Sequence, residues 1–434
     1  MKVYKLLIAI SISLILVFTG CEDRSDLTAP QAPSTGSADF SNYFTLGNSL
    51  TQGEQSGSVY ESVQAYSFAN LLARQVETEF VYPIFPDPGS GGRIEVQSVD
   101  PFATTINTTA TTPTNLTYNG VYNNLGVKGA FLWDVLNTTN SQDCYTATQL
   151  SAFGVSVPNP MFDAVLRGQG TMLQQVLSQN PSLVTLWIGN NDVLAFATRG
   201  GLFPPTQPND FQAWYGEIIT QLVTAQVDVV VANIPDVTSI PFFNTVGPQL
   251  MAQGITTLVG TLADGTVAPI DLSKNFLLLT AQAELAEGKG QSADNPLSNG
   301  VILDESEIAT AQALVNGYNQ IIAGVAAQAN VAVVDINSFF KNIAQNGLAV
   351  DGMQFSTQFV QGGLFSLDGV HPSNHGYAVV ANEFIKVIND KYGASIPLVD
   401  IGAIPASLPL SADASAPKIS GNSFQDNSFD RILF

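Results

Sequence analysis

Histidine is almost absent from this sequence. Among 434 residues only His371 and His375 carry an imidazole, so any chemistry that needs that group near neutral pH must use one of them. Cysteine is equally scarce. Cys21 and Cys144 stand alone, which allows one bridge at most and excludes a disulfide framework. Positive charge is also short, with 15 Lys and Arg against 36 Asp and Glu and a formal charge of −21. That balance excludes nucleic acid, whose phosphates demand a Lys/Arg surface, and electrostatic docking to anionic headgroups. Charged residues make up only 12% of the chain and hydrophobic ones 45%, which implies a globular protein with a large core.

Long apolar runs are missing too. The longest lies at the N-terminus, where Lys2 and Lys5 precede the stretch Leu6 to Phe18. It is too short for a comfortable membrane span and has the form of a signal-peptide core. The run ends Phe18-Thr19-Gly20-Cys21, which resembles a bacterial lipobox, with Phe18 where leucine is usual. The resemblance implies removal of residues 1–20 and lipidation of Cys21, with a plain signal peptide or uncleaved anchor as the alternative. Cys144 is then unpaired; a Cys21–Cys144 bridge is the competing arrangement. Buried acyl chains, at about 0.8 kcal/mol per CH₂, would hold the protein stably on a membrane. The expected location is extracytoplasmic, with the lipid as the only membrane attachment. Residues 21–40, rich in Ser, Pro, Ala and Asp, read as a flexible tether.

The texture changes from Tyr43. Apolar runs at Asn42 to Leu46, Leu183 to Ile188, Val227 to Ala232 and Val331 to Ile336 fit strands buried on both faces of a parallel sheet. Helical patterns lie between them. One covers Ser62 to Val76. Another opens on the capping box Asp304/Glu307 and buries Ile308, Ala311, Val315, Tyr318, Ile322 and Val325. A third follows Pro372 with Tyr377, Val380, Ala381, Phe384 and Ile388 inward. Alternating strands and helices imply an α/β fold, a doubly wound three-layer sandwich around a central, mostly parallel sheet. The domain spans residues 41–395, with insertions at about 80–120 and 238–300, where substrate loops usually live. The tail, 396–434, is Pro- and Ser-rich and reads as loosely structured.

Hydrolysing an ester with a serine requires an exposed hydroxyl, a base, a group that orients the base, and donors for the oxyanion. His371 sits in Ser366-Leu367-Asp368-Gly369-Val370-His371, where Asp368 can fold back onto the imidazole and fix its tautomer. His375 lacks a comparable local carboxylate. Ser49, in Gly47-Asn48-Ser49-Leu50, follows a strand and so lies at the sheet edge where α/β proteins bind ligands. Gly421-Asn422-Ser423 repeats the triplet without a preceding strand and marks how little the triplet means alone. Asn191, in Gly189-Asn190-Asn191-Asp192, follows another strand and offers an uncharged amide donor. Gly129, in Asn124-Leu125-Gly126-Val127-Lys128-Gly129-Ala130, offers a backbone N–H, with Gly126 as its competitor. Gly and Asn are also ordinary turn residues.

These blocks, in this order, resemble the SGNH or GDSL-type hydrolases over roughly residues 42–390. The resemblance implies a flavodoxin-like fold and ester hydrolysis through an acyl-enzyme, with no cofactor and no metal. It makes Ser49 the nucleophile, His371 the base and Asp368 its orienter, with Ser49, Gly129 and Asn191 forming the oxyanion hole. Two departures stand out: Asn48 where the family has Asp, and Lys128 where a small polar residue is usual. The substrate expected is a small-molecule or lipid ester, with acyl chains suited by apolar patches at Phe242-Phe243 and Phe276 to Leu279 unless these are core. The alternatives are deacetylation of glycans at the same site, or a non-catalytic surface module that binds glycan or protein.

Overall fold

A computed structural model describes residues 33–412 apart from 101 and 155. Five short runs form its centre: β1 (Tyr43–Gly47), β2 (Asn124–Gly126), β3 (Leu183–Trp187), β4 (Asp228–Ala232) and β5 (Ala332–Val334). They pair in parallel in the order β5-β4-β3-β1-β2. Every residue of β1 and β3 is buried, as expected of strands covered on both faces. Polar Thr185 survives there because its hydroxyl shares a 2.9 Å hydrogen bond with Tyr43 Oη. The last strand is shorter than its apolar run. Asp335 accepts from the Ser338 N–H and caps a helix that starts at Ile336.

The helices that bracket the sheet are α1 (Ser49–Gln52), α2 (Phe68–Gln75), α3 (Met172–Ser178), α4 (Asn191–Ala197), α5 (Pro208–Thr224), α6 (Glu305–Ala329), α7 (Ile336–Asn346) and α8 (Asn374–Tyr392). α2 packs on α8, and α5 packs on α6. Phe68 of α2 stacks on Phe384 of α8 at 4.6 Å and meets Trp187 of β3 edge-on at 5.6 Å. Phe211 of α5 stacks on Tyr318 of α6 at 4.1 Å. The expected capping box is complete: Asp304 accepts from the Glu307 N–H, and Glu307 accepts from the Asp304 N–H. Ala311, Val315, Tyr318, Ile322 and Ala326 form the buried stripe of α6, and Ile308 and Val325, expected in it, are only half-buried.

Three further expectations need correction. The helix expected over 62–76 is interrupted, because the Ser67 hydroxyl accepts from the Asn70 N–H and starts α2 afresh at Phe68. The tether ends early: Ala38 and Phe40 are buried, and the Ser37 N–H donates to Tyr392 O. The tail is not loose through residue 412. Ile396, Val399 and Ile401 are buried, and the Val96 N–H donates to Pro409 O while the Ser411 N–H donates to Val96 O. Of the two readings left open for the apolar patches, core is the one found for Phe242, Phe243 and Leu277 to Leu279. Both insertions carry antiparallel hairpins, Arg93–Val99 with Phe102–Asn107 and Thr257–Thr261 with Val267–Asp271, outside the central sheet. Cys21 and Ser423 lie outside the described residues; Cys144 is free and buried.

Strand order sets the position of the site. The connection from β1 runs to β2 on one side, while β3 joins β1 on the other. A crevice opens beyond the carboxyl ends of the strands at such a reversal. Ser49, Gly129 and Asn191 each follow closely on one of these three strands.

Candidate active site

Gly47 ends β1 because nothing larger fits. A Cβ there would lie 2.1 Å from Thr51 Oγ1 and 2.5 Å from Trp187 O. The chain turns at once into α1, where the Asn48 side chain accepts from the Leu50 N–H. Asn48 also donates its amide to Asn190 Oδ1 at 3.2 Å, tying the loop after β1 to the loop after β3. A carboxylate could not make that donation, so the departure from Asp gives the two loops a cross-link. Ser49, at the first turn of α1, is 5% exposed and so reachable only from the crevice.

His371 reaches it from the far end of the sequence. Its Nε2 is 2.9 Å from Ser49 Oγ and its Nδ1 is 2.9 Å from Asp368 Oδ2. Asp368 is saturated: Oδ1 accepts from the Val370 and His371 N–H groups and from Ser366 Oγ, and Oδ2 also accepts from the Gly57 N–H. Burial alone would raise the Asp368 carboxyl, but the His371 charge and these hydrogen bonds hold it below the usual carboxylate value. With Nδ1–H donated to a carboxylate, the Nε2 lone pair faces the serine hydroxyl. His375 plays no part in this cluster; its Nε2 bonds Ile404 O at 2.8 Å.

The donor groups converge as well. Asn191 opens α4 and donates to Ala130 O at 2.8 Å, leaving one amide hydrogen beside the crevice it lines with Ser49 and His371. Gly129 has a left-handed backbone, φ 77°, which favours glycine. Among the described residues no backbone or side-chain acceptor faces its N–H. Gly126, by contrast, sits in β2 with its N–H taken by Asn124 Oδ1, so Gly129 is the available donor. Asp192 fixes the two loops together: its carboxylate accepts from the Leu132 N–H and from Thr206 Oγ1. Burial pushes that carboxyl up to about 6.

Two further ionisable groups lie beside the imidazole. Glu54 is fully buried, with Oε2 3.6 Å from His371 Nε2 and Oε1 2.8 Å from Lys128 Nζ. Glu54, Asp368 and His371 are the only ligand-type side chains close enough to hold a metal among the described residues. The Lys128 ammonium already sits against Glu54, which makes the cluster a poor cation site. The sequence carried one signal for this pair, since a lysine inside an apolar, glycine-containing run needs a counter-charge. Nothing singled out Glu54 as its owner.

The family model for the GDSL-like lipase/acylhydrolases matches residues 43–384. The chain belongs to that family. This GDSL hydrolase is therefore an ester-hydrolysing enzyme, and its parallel sheet with flanking helices is the family's α/β fold. No curated protein matches the sequence. Among solved structures it is similar to an acetyl xylan esterase at 14% identity, covering 79% of this chain and 98% of that one with a TM-score of 0.31. An α/β hydrolase from the metagenome of Lake Arreo, Spain, is 13% identical over 81% of this chain and 96% of its own, TM-score 0.35. A variant of an acetyl xylan esterase from Geobacillus stearothermophilus is 12% identical over 81% and 95%, TM-score 0.34.

Proposed function

We propose that this GDSL hydrolase cleaves carboxylic esters of short to medium acyl chains through an acyl-enzyme on Ser49. The observation that carries the reading is the continuous chain Ser49 Oγ–His371–Asp368, with both contacts at 2.9 Å. Ser49 Oγ attacks the ester carbonyl carbon while His371 Nε2 takes its proton. The oxyanion is met by the N–H groups of Ser49 and Gly129 and the Asn191 amide. Collapse breaks the bond to the alcohol, which leaves with the proton from Nε2. Water then attacks the acyl-enzyme with His371 again as base, releasing the acid and restoring Ser49. Asn191→Ala should lower kcat by on the order of 10² to 10³ with KM little changed. Steady-state kinetics on p-nitrophenyl butyrate check this, and a kcat within a few-fold of the parent would remove Asn191 from the oxyanion hole.

The acyl preference rests on the cavity beside Ser49. Leu50, Leu194, Val237, Ile240, Phe340 and Phe365 make its walls almost wholly apolar. Such a lining recovers hydrophobic free energy from an alkyl chain and offers a sugar few hydrogen-bonding partners. The same reading extends to the N-terminus, where Cys21 would carry the lipid that places the enzyme on an extracytoplasmic membrane surface. Ile240→Trp should cut hexanoate relative to acetate turnover by on the order of tenfold, and Ile240→Ala should raise it. A p-nitrophenyl ester series tests this. If neither variant moves the ratio, the acyl chain does not enter this cavity.

A further inference from the structure

We infer that Glu54, held by Lys128, is a positioning residue that serves as a second counter-ion for His371. A serine hydrolase of this design orients its base from the Nδ1 side, and Asp368 does so here. Glu54 stands on the other side, facing the nitrogen that receives the proton.

The local sequence puts it there. Gly53, at φ 89°, ends α1. The next N–H, that of Glu54, donates to Ser49 O at 3.0 Å, and Tyr377 Oη donates to Glu54 O at 2.8 Å. The carboxylate is thus anchored by its own backbone to the nucleophile's peptide and to α8. Lys128 enters from the loop after β2, donating to Gly57 O at 2.6 Å while its ammonium lies 2.8 Å from Oε1. Among the described residues no side-chain or backbone donor is aligned for a hydrogen bond to either Glu54 oxygen. Oε2 is therefore a fully buried acceptor, 3.6 Å from the reacting nitrogen and without a hydrogen bond among the described residues.

Two buried charges cost several kcal/mol each to desolvate, so a Glu–Lys pair is poor evidence of stabilisation. Its placement gives it a use. When Nε2 takes the serine proton, the imidazolium gains Asp368 at one nitrogen and Glu54 at the other, while the serine proton has only one basic nitrogen to reach. Lys128 offsets part of the Glu54 charge, so the imidazole is not held permanently protonated. The charged groups around the ring are Asp368 on its own loop, Glu54 after α1 and Lys128 after β2. Tyr377 also faces both carboxylates and Tyr60 faces Asp368, but burial pushes both phenols upward and keeps them neutral. Burial lowers the basicity of His371, yet Glu54 and then Asp368 outweigh it and raise the imidazole above its ordinary value.

The consequence for rate rests on the Ser49 mechanism, but the titration does not. With only two histidines in the chain, ¹⁵N spectra of the full protein resolve His371 directly, and His375→Asn assigns it. Glu54→Gln should lower the His371 midpoint by about one pH unit or more. The acid limb of kcat/KM should move down with it, and kcat on the alkaline plateau should fall about tenfold. If the single variant does not fold, because Lys128 is left buried and unpaired, Glu54→Gln combined with Lys128→Met removes both charges and should shift the midpoint in the same direction. A His371 midpoint and acid limb that both stay at the parent's values would overturn the inference. A midpoint that shifts in a protein with no esterase activity would instead support the counter-ion and sink the proposed function.

Discussion

Ser49→Ala should reduce kcat on p-nitrophenyl butyrate by on the order of 10⁵ to 10⁶, and His371→Ala should do the same. The two changes should not add. Ser49 Oγ and His371 Nε2 are 2.9 Å apart and share one proton, so removing either leaves the other with nothing to do. The double variant should match the singles, retaining only what the donors of Ser49, Gly129 and Asn191 contribute by binding the oxyanion. Folding should be little affected by the serine change, since only a hydroxyl is lost and its one hydrogen bond among the described residues is to the imidazole. Rates on a single ester, with circular dichroism as the folding control, check the set. A double variant slower than the singles by the product of their losses would mean that two independent mechanisms operate.

The second large effect belongs to Asp368→Asn, expected to cost on the order of 10⁴ in kcat. An amide in place of Oδ2 donates to Nδ1 rather than accepting from it. The imidazole then carries its proton on Nε2 and points an N–H at the serine hydroxyl, the wrong tautomer for a base. Asp368 also holds its loop through the Val370, His371 and Gly57 N–H groups. Whichever oxygen the amide replaces, at least one buried donor loses its acceptor, at about 1 to 3 kcal/mol. The variant should therefore be both slow and less stable, and thermal melting beside kinetics separates the two. Retention of kcat within tenfold would show that the tautomer is fixed by something else.

The wild-type pH profile follows from the same cluster. A base needs a neutral imidazole, and the carboxylates of Glu54 and Asp368 favour the protonated one. Activity should thus appear only as pH rises through a value above that of an ordinary histidine, and be lost below it.

Much of this was legible in the sequence because each block of the candidate site is local. Asp368 and His371 are three residues apart, so their contact depends on one turn. Ser49 and Asn191 each follow an apolar strand run, and parallel pairing then brings those strand ends together. Scarcity of histidine did the rest, leaving His371 with a carboxylate and His375 without one. What stayed hidden depends on long-range packing. β2 has only three residues and begins with Asn124, too little pattern to read as a strand. The stretch 396–412 looks like a loose tail by composition, yet Ile396, Val399 and Ile401 find buried places and its backbone pairs with Val96. Phe242 and Phe243 suit an acyl chain by chemistry, but they pack inside; the apolar wall beside Ser49 is assembled from residues as far apart as Leu50 and Phe365. Glu54 was invisible for the same reason, since its meaning comes from Lys128 and His371, which only the fold brings to it.

The most direct test is the identity of the residue that becomes covalently modified. The purified protein should be treated with a fluorophosphonate and the adduct located by peptide mass spectrometry. The expected result is a single adduct on Ser49, absent from Ser49→Ala and strongly slowed in His371→Ala. An unlabelled protein, or an adduct on any other serine, would contradict the assignment of the nucleophile.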